Sequence, residues 1–288
     1  MSEPIAPLTR APANLEGWMA LFDHASLPVL AETAAAIEEL REHEDAVDAR
    51  MLTETVAHDP LMTIKVLALV AQLRRGRGGS ETETVTESLV MLGIPPFFHH
   101  FGPQPSVEAL LAGQPAAQAG FERVLKRSRR AARFAIGFAV HRMDHDASVI
   151  HEAALLHDFA ELLLWLYAPA LALEIDTRQR MDPTLRTAAI QKDLLNIELV
   201  DLEHALMLKW RLPSLLVQIT DDHAPQMTAQ MRNVLLAIRV ARHSADGWDN
   251  AAIPDDVRDV AQLLNMALVP AARLLQEIDN DDNPIPSM

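Results

Sequence analysis

The residues best suited to chemistry are His157 and Asp158, adjacent at the end of the apolar run Ala154-Leu155-Leu156. An imidazole nitrogen beside a carboxylate can bind a divalent cation. Such a cation takes about four to six hard nitrogen and oxygen ligands, with positions left open for water or phosphate. The pair alone is therefore not a centre, and companions must come from other elements. His151-Glu152 supplies none by the metalloprotease route, because the next histidine lies six residues on, outside HExxH spacing. His99-His100, and His145 between Asp144 and Asp146, sit beside turn signals and read as exposed loop histidines. His204 falls at helical spacing among Val200, Leu208 and Trp210 and reads as a packing residue. There is no GxSxG elbow. With no cysteine the chain has no thiolate nucleophile, no cysteine zinc site and no disulfide, which fits a reducing cytoplasm. The stretch Arg74-Arg75-Gly76-Arg77-Gly78-Gly79-Ser80 lacks the GxxxxGK[ST] pattern and follows no strand, so it reads as a surface loop and not as a phosphate-binding loop.

A second candidate is electrostatic. Arg123, Lys126, Arg127, Arg129, Arg130 and Arg133 crowd one helical segment. At 100° per residue they span an arc of about 160°. Such an arc is either a solvated face balanced by acidic neighbours or a docking surface for an acidic partner or phosphate-bearing ligand, which salt would weaken. The whole chain carries a net charge of −15, which repels nucleic acid and anionic membranes at long range. Aromatic residues make up 5%, too few for a groove that stacks single-stranded bases. No apolar run approaches the roughly 18 residues of a membrane span, and Met1-Ser2-Glu3-Pro4 lacks the basic and apolar regions of a signal peptide. A soluble, cytoplasmic protein is expected.

The elements that must position these groups are helical. Hydrophobic residues reach 49% with only 10 glycines, a usage that favours helix over strand. Residues 1–14, with Pro4, Pro7 and Pro12, read as a disordered lead. Val29, Leu30, Thr33, Ile37 and Leu40 mark one buried helical face. Asp48 predicts the N-cap of a second helix, and Asp59-Pro60 the start of a third. Thr84-Val85-Thr86-Glu87 is a capping box opening a helix closed by Gly93. Five prolines between 95 and 115 break the chain into short pieces. A long helix is predicted over 116–143, then one running through His157-Asp158 towards Leu166. Further helices are predicted near 184–196, 199–210, 214–222, 227–246 and 255–278, with a loose tail from Asp279. The expectation is an all-α chain of two lobes: an N-terminal bundle over 15–115 and a second bundle over 116–246. Residues 247–288 add a last helix and the tail.

Ordered along this pattern are segments that resemble the HDOD (HD-related output) domain of bacterial signalling proteins. They are Leu27-Pro28; His58-Asp59-Pro60-Leu61 through Lys65-Val66-Leu67; Glu87 to Gly93; Leu155-Leu156-His157-Asp158; Glu198 with His204 and Trp210-Arg211-Leu212-Pro213; and Asp222-His223-Ala224-Pro225. The resemblance implies a helical domain related to metal phosphohydrolases and used as a regulatory or scaffolding module. It also implies where companions of the His-Asp pair would stand. The earlier histidine falls on Arg127, the distal aspartate on Arg242, and the first residue of the "HHxP" segment on Asp222, with His223 retained. Arginine cannot ligate a metal, because its guanidinium stays protonated and offers no lone pair. His157 and Asp158 are then vestigial, neither metal nor cofactor is expected, and Arg127 or Arg242 is expected to pair with Asp158 in the cation's place. The resulting expectation is a non-catalytic regulatory module that binds another signalling protein or an acidic ligand through Arg123, Lys126, Arg129, Arg130 and Arg133. The alternative is a divergent metal-dependent phosphohydrolase using His157, Asp158, His204 and His223.

Overall fold

Helix starts in this chain are set by side chains that take up free backbone N–H groups. The structure, a computed structural model, describes residues 7–75, 81–182, 184–221 and 223–280. Asn14 accepts from Gly17 to open α1 (Leu15–Leu21). Helix α2 (Ala31–Glu42) follows, and Asp48 accepts from Met51 to open α3 (Ala49–Val56). Asp59 opens α4 (Pro60–Leu73), with proline in the first turn, where its missing N–H costs nothing. Thr84 opens α5 (Val85–Leu92), which Gly93 closes at φ 79°, a conformation that glycine adopts without strain. Helices α6 (Ile94–His100) and α7 (Val107–Leu110) are short, as the prolines predict. Then come α8 (Pro115–Arg142), α9 (Ala147–Leu156), α10 (Phe159–Tyr167), α11 (Pro169–Met181), α12 (Thr187–Leu195) and α13 (Leu199–Trp210). The series closes with α14 (Ser214–Ile219), α15 (Ala229–His243), α16 (Ile253–Leu264) and α17 (Leu268–Asn280). The described residues are all-α, their only β-type pairing being an isolated bridge between Val29 and Ser106.

Several expected boundaries move. The helix predicted through His157-Asp158 is two helices that break at that pair. The helix predicted over 255–278 is also two, because Asn265 turns left-handed at φ 51° and ends α16. Asparagine tolerates that conformation by bonding locally, so no glycine advertises the break. Helix α11 occupies a stretch for which the apolar pattern predicts no element. The lead is tied down where it is described: Leu8 N–H donates to the Tyr167 carbonyl at 2.7 Å, and the Asn196 amide to that of Pro12 at 3.0 Å. Asp279 belongs to α17 and not to a loose tail. Residues 1–6 and 281–288 lie outside the described residues, as do Gly76–Ser80 of the predicted loop.

The chain forms two compact units, each discontinuous in sequence: residues to Val124 with Asp158–Ser214, and Leu125–His157 with the residues from Leu215 onward. The division expected from sequence, 15–115, 116–246 and 247–288, is sequential, whereas these units interleave along the chain. In the first unit α4 packs on α5 and α13, and α13 on α1 and α10. Trp18 and Phe97 are fully buried there, and the Trp18 indole donates to the Leu195 carbonyl at 2.9 Å. Gly120 lets α8 approach the Trp165 ring, which a β-carbon would meet at 2.5 Å.

The same unit holds two buried charges. Asp59, fully buried, accepts N–H groups of Leu30 (2.8 Å), Leu61 (2.9 Å) and Met62 (3.0 Å). Burial holds its carboxyl above the ordinary carboxylate range, and these donors with Thr33 offset only part of that rise. One turn and a half later Lys65, 3% exposed, donates to the Leu27 carbonyl at 2.6 Å and to the Gln104 side chain at 2.7 Å. Burial lowers its amine from 10.5 to about 8, against the attraction of Asp59 and Asp23.

In the second unit α15 packs on α9 and α16, and α16 on α17. Arg130 is buried among them. Its guanidinium pairs with Asp279 (2.9 and 3.0 Å) and donates to the Ala241 carbonyl (3.1 Å) and the Ser244 hydroxyl (2.8 Å). This fastens the last turn of α17 to α8 and α15.

Two stability measurements follow. Lys65 is disfavoured when charged, so in the folded state it loses its proton first. Its penalty is complete below pH 8 and is relieved as pH rises from 8 to 10.5. In urea unfolding, wild type gains on Lys65→Met by about 3 kcal/mol across that window; a flat difference would refute the buried-amine assignment. Arg130→Ala leaves Asp279 without its cation and costs roughly 3 kcal/mol in the same assay. The double replacement Arg130→Met with Asp279→Leu recovers most of that loss.

Candidate functional site

His157 and Asp158 stand where α9 ends and α10 begins. His157 has helical geometry (φ −59°, ψ −30°) and is the last residue to continue α9. Asp158 leaves the helix (φ −106°, ψ 20°), and its side chain does not cap α10. Its carbonyl accepts from Glu161 and Leu162, at 3.1 and 3.2 Å, to start the new helix. The apolar residues on both sides, Ala153–Leu156 and Phe159–Leu164, are buried, whereas the pair itself is half-buried. The unit boundary falls between the two residues, so His157 belongs to the second unit and Asp158 to the first. Neither residue is without a partner.

The other expected participants are divided in the same way. His204 lies in the first unit on α13, where its Nδ1 is buried with no hydrogen-bond partner among the described residues. His223 is exposed in the second unit, its backbone N–H donating to the Asp221 carboxylate at 3.0 Å. Asp222 lies outside the described residues. Arg127 is half-buried on α8, and Arg242 is exposed in the last turn of α15; both are engaged. Among the described residues no three histidine, aspartate or glutamate side chains come together at a spacing that could hold a metal ion.

The basic segment of α8 is not one surface. Arg130 is removed from it by the buried network described above, which spends four of its five N–H donors inside the fold. Arg123 belongs to the first unit, where it pairs with Asp176 at 3.1 Å and lies over the Trp165 ring. Lys126 is exposed, and Arg129 and Arg133 are half-buried and partnered.

Two clusters escape the sequence reading. The first is Asp59 and Lys65, which motif matching picks out as a string but not as two buried side chains bonded to the same backbone approach. The second is Asp256, fully buried, which accepts from the Arg239 guanidinium at 2.6 Å and meets His243 Nδ1 at 2.6 Å. Arg239 also reaches Asp259 at 2.9 Å. These residues join α15 to α16, and no spacing rule links groups on separate helices. Both clusters are built as structural braces, their polar atoms spent on one another and on the backbone.

The HDOD domain model matches residues 27–225. The fold is similar to that of the MmoQ response regulator of Methylococcus capsulatus str. Bath, at a TM-score of 0.66 and 20% identity, covering 87% of this chain and 98% of that one. A virulence factor of Campylobacter jejuni subsp. jejuni is also similar, at a TM-score of 0.64 and 14% identity, covering 94% and 99%. At these identities the likeness is one of fold. No curated relative matches in sequence. The family model runs from the Leu27-Pro28 opening through the buried Asp59 and Lys65 and the His157-Asp158 break to Pro225, well over half of the chain, and the chain belongs to the HDOD domain family.

Proposed function

We propose that the chain is a regulatory module of bacterial signal transduction with no catalysis of its own, working in the cytoplasm by binding another signalling protein or an acidic ligand. The observation that carries this reading is Arg127. It stands on α8 where the family resemblance implies a metal-binding histidine, and a guanidinium has no lone pair to give. Arg242 makes the same substitution for an aspartate. The absence of any converging trio of donors among the described residues supports the reading, as does the likeness in fold to a protein described as a response regulator. Among the described residues no helix is long and apolar enough to cross a membrane. For the partner, exposed Lys126 with Arg129 and Arg133 supplies positive charge on an otherwise acidic molecule. The alternative, a divergent phosphohydrolase acting through His157, Asp158, His204 and His223, draws its support from the surviving His-Asp pair.

Metal analysis of the purified chain separates the two. The regulatory reading expects well under one equivalent of transition metal and no phosphoester hydrolysis, both unchanged in His157→Ala. A stoichiometric metal that disappears in His157→Ala together with nucleotide hydrolysis would establish the enzyme. For binding, charge reversal at Lys126 and Arg129 is expected to lower capture of the native partner, and raised salt to imitate the reversal. Capture indifferent to both would place the contact elsewhere.

A further inference from the structure

The first unit contains a solvent-open hollow of about 250 Å3 whose lining includes Arg74, Arg75 and Arg211, with Glu81 the acidic member. Leu67 and Pro213 supply an apolar wall. Arg74 and Arg75 follow the end of α4, and Arg211 closes α13 in the left-handed conformation at φ 56°. Cations at helix C-termini have an ordinary use, since each end carries about half a negative charge. That use does not account for three of them. Against three guanidinium groups stand two helix ends and one carboxylate, which leaves about one positive charge uncompensated. Arg74 donates to the Met91 sulfur at 3.0 Å, a weak acceptor that neutralises nothing. Arg75 and Arg211 form no ion pair with any described residue, and the Glu81 carboxylate accepts from the Ser214 hydroxyl at 2.8 Å. Unbalanced positive charge in a concave site is unexpected on a chain whose net charge is −15.

We propose that this hollow binds a phosphomonoester, its phosphate held by Arg75 and Arg211 with Arg74 behind, and its organic part laid against Leu67 and Pro213. Guanidinium forks match phosphate oxygens two at a time, and the volume suits a phosphate with a small ring or short chain attached. The site shares no residue with α8 and does not depend on the reading given above.

Calorimetric titration of the full chain with phenyl phosphate and with inorganic phosphate tests it. Wild type is expected to bind phenyl phosphate more tightly than inorganic phosphate, because only the former covers the apolar wall. Arg75→Gln and Arg211→Gln are each expected to weaken phenyl phosphate by about tenfold or more. Glu81→Gln, which removes the repelling charge, is expected to tighten it severalfold. Arg50→Gln, at a surface pair with Glu54, removes the same charge elsewhere and is expected to change nothing. Circular dichroism identifies any variant that fails to fold, and the two arginine variants report independently. A phosphoserine peptide added as a third ligand separates sources: tighter binding than phenyl phosphate assigns the hollow to a phosphorylated protein, weaker binding to a free metabolite. No saturable binding by wild type, or equal binding by both arginine variants, overturns the proposal.

Discussion

The first unit depends on satisfying one carboxyl group deep inside protein. Asp59 has no access to water, and an unsatisfied group there would cost several kcal/mol, on the order of a whole domain's margin. The backbone resolves this by aiming three N–H groups at it, two from the turn it caps and one from Leu30, 29 residues earlier. The carboxylate therefore acts as a staple between the approach to α2 and the start of α4. Lys65 repeats the device with opposite charge, taking the Leu27 carbonyl of the same approach. Between them the two side chains fix both polarities of one short backbone segment, which is why a charged motif can sit inside a core.

Where a helix begins was legible in this chain, and where it breaks was less so. Asp48, Asp59 and Thr84 each bond to an N–H two or three residues on, a local event that depends only on residue type and position. The breaks at His157-Asp158 and Asn265 depend on what the flanking helices pack against. The run across 153–166 is apolar enough for one continuous helix, and only tertiary packing decides that it is two. Helix α11 was invisible for a related reason: it buries few residues, chiefly Ala172 and Ile175, so its apolar periodicity is faint.

The arginines of α8 show the limit from another side. Composition assigns Arg123, Lys126, Arg129 and Arg130 to a common arc, and an arc invites the inference of a surface. Yet Arg130 is as buried as many leucines, because Asp279 waits 149 residues further on. No local pattern encodes that partner. The family resemblance, by contrast, rests on segments spread over the whole fold, and it identified the architecture while leaving the electrostatics of each cationic side chain to be read from the coordinates.

The bond from Arg130 to Asp279 also changes how the end of the chain should be regarded. Lying beyond the family's matched segment, helix α17 invites trimming or replacement by a fusion partner. A chain cut before Asp279 would instead strand a cation in the interior, so the boundary of an expressible fragment lies beyond the family's matched segment. In evolutionary terms the outer face of α17 is free to drift, while its last turn is answerable to a residue 149 positions earlier.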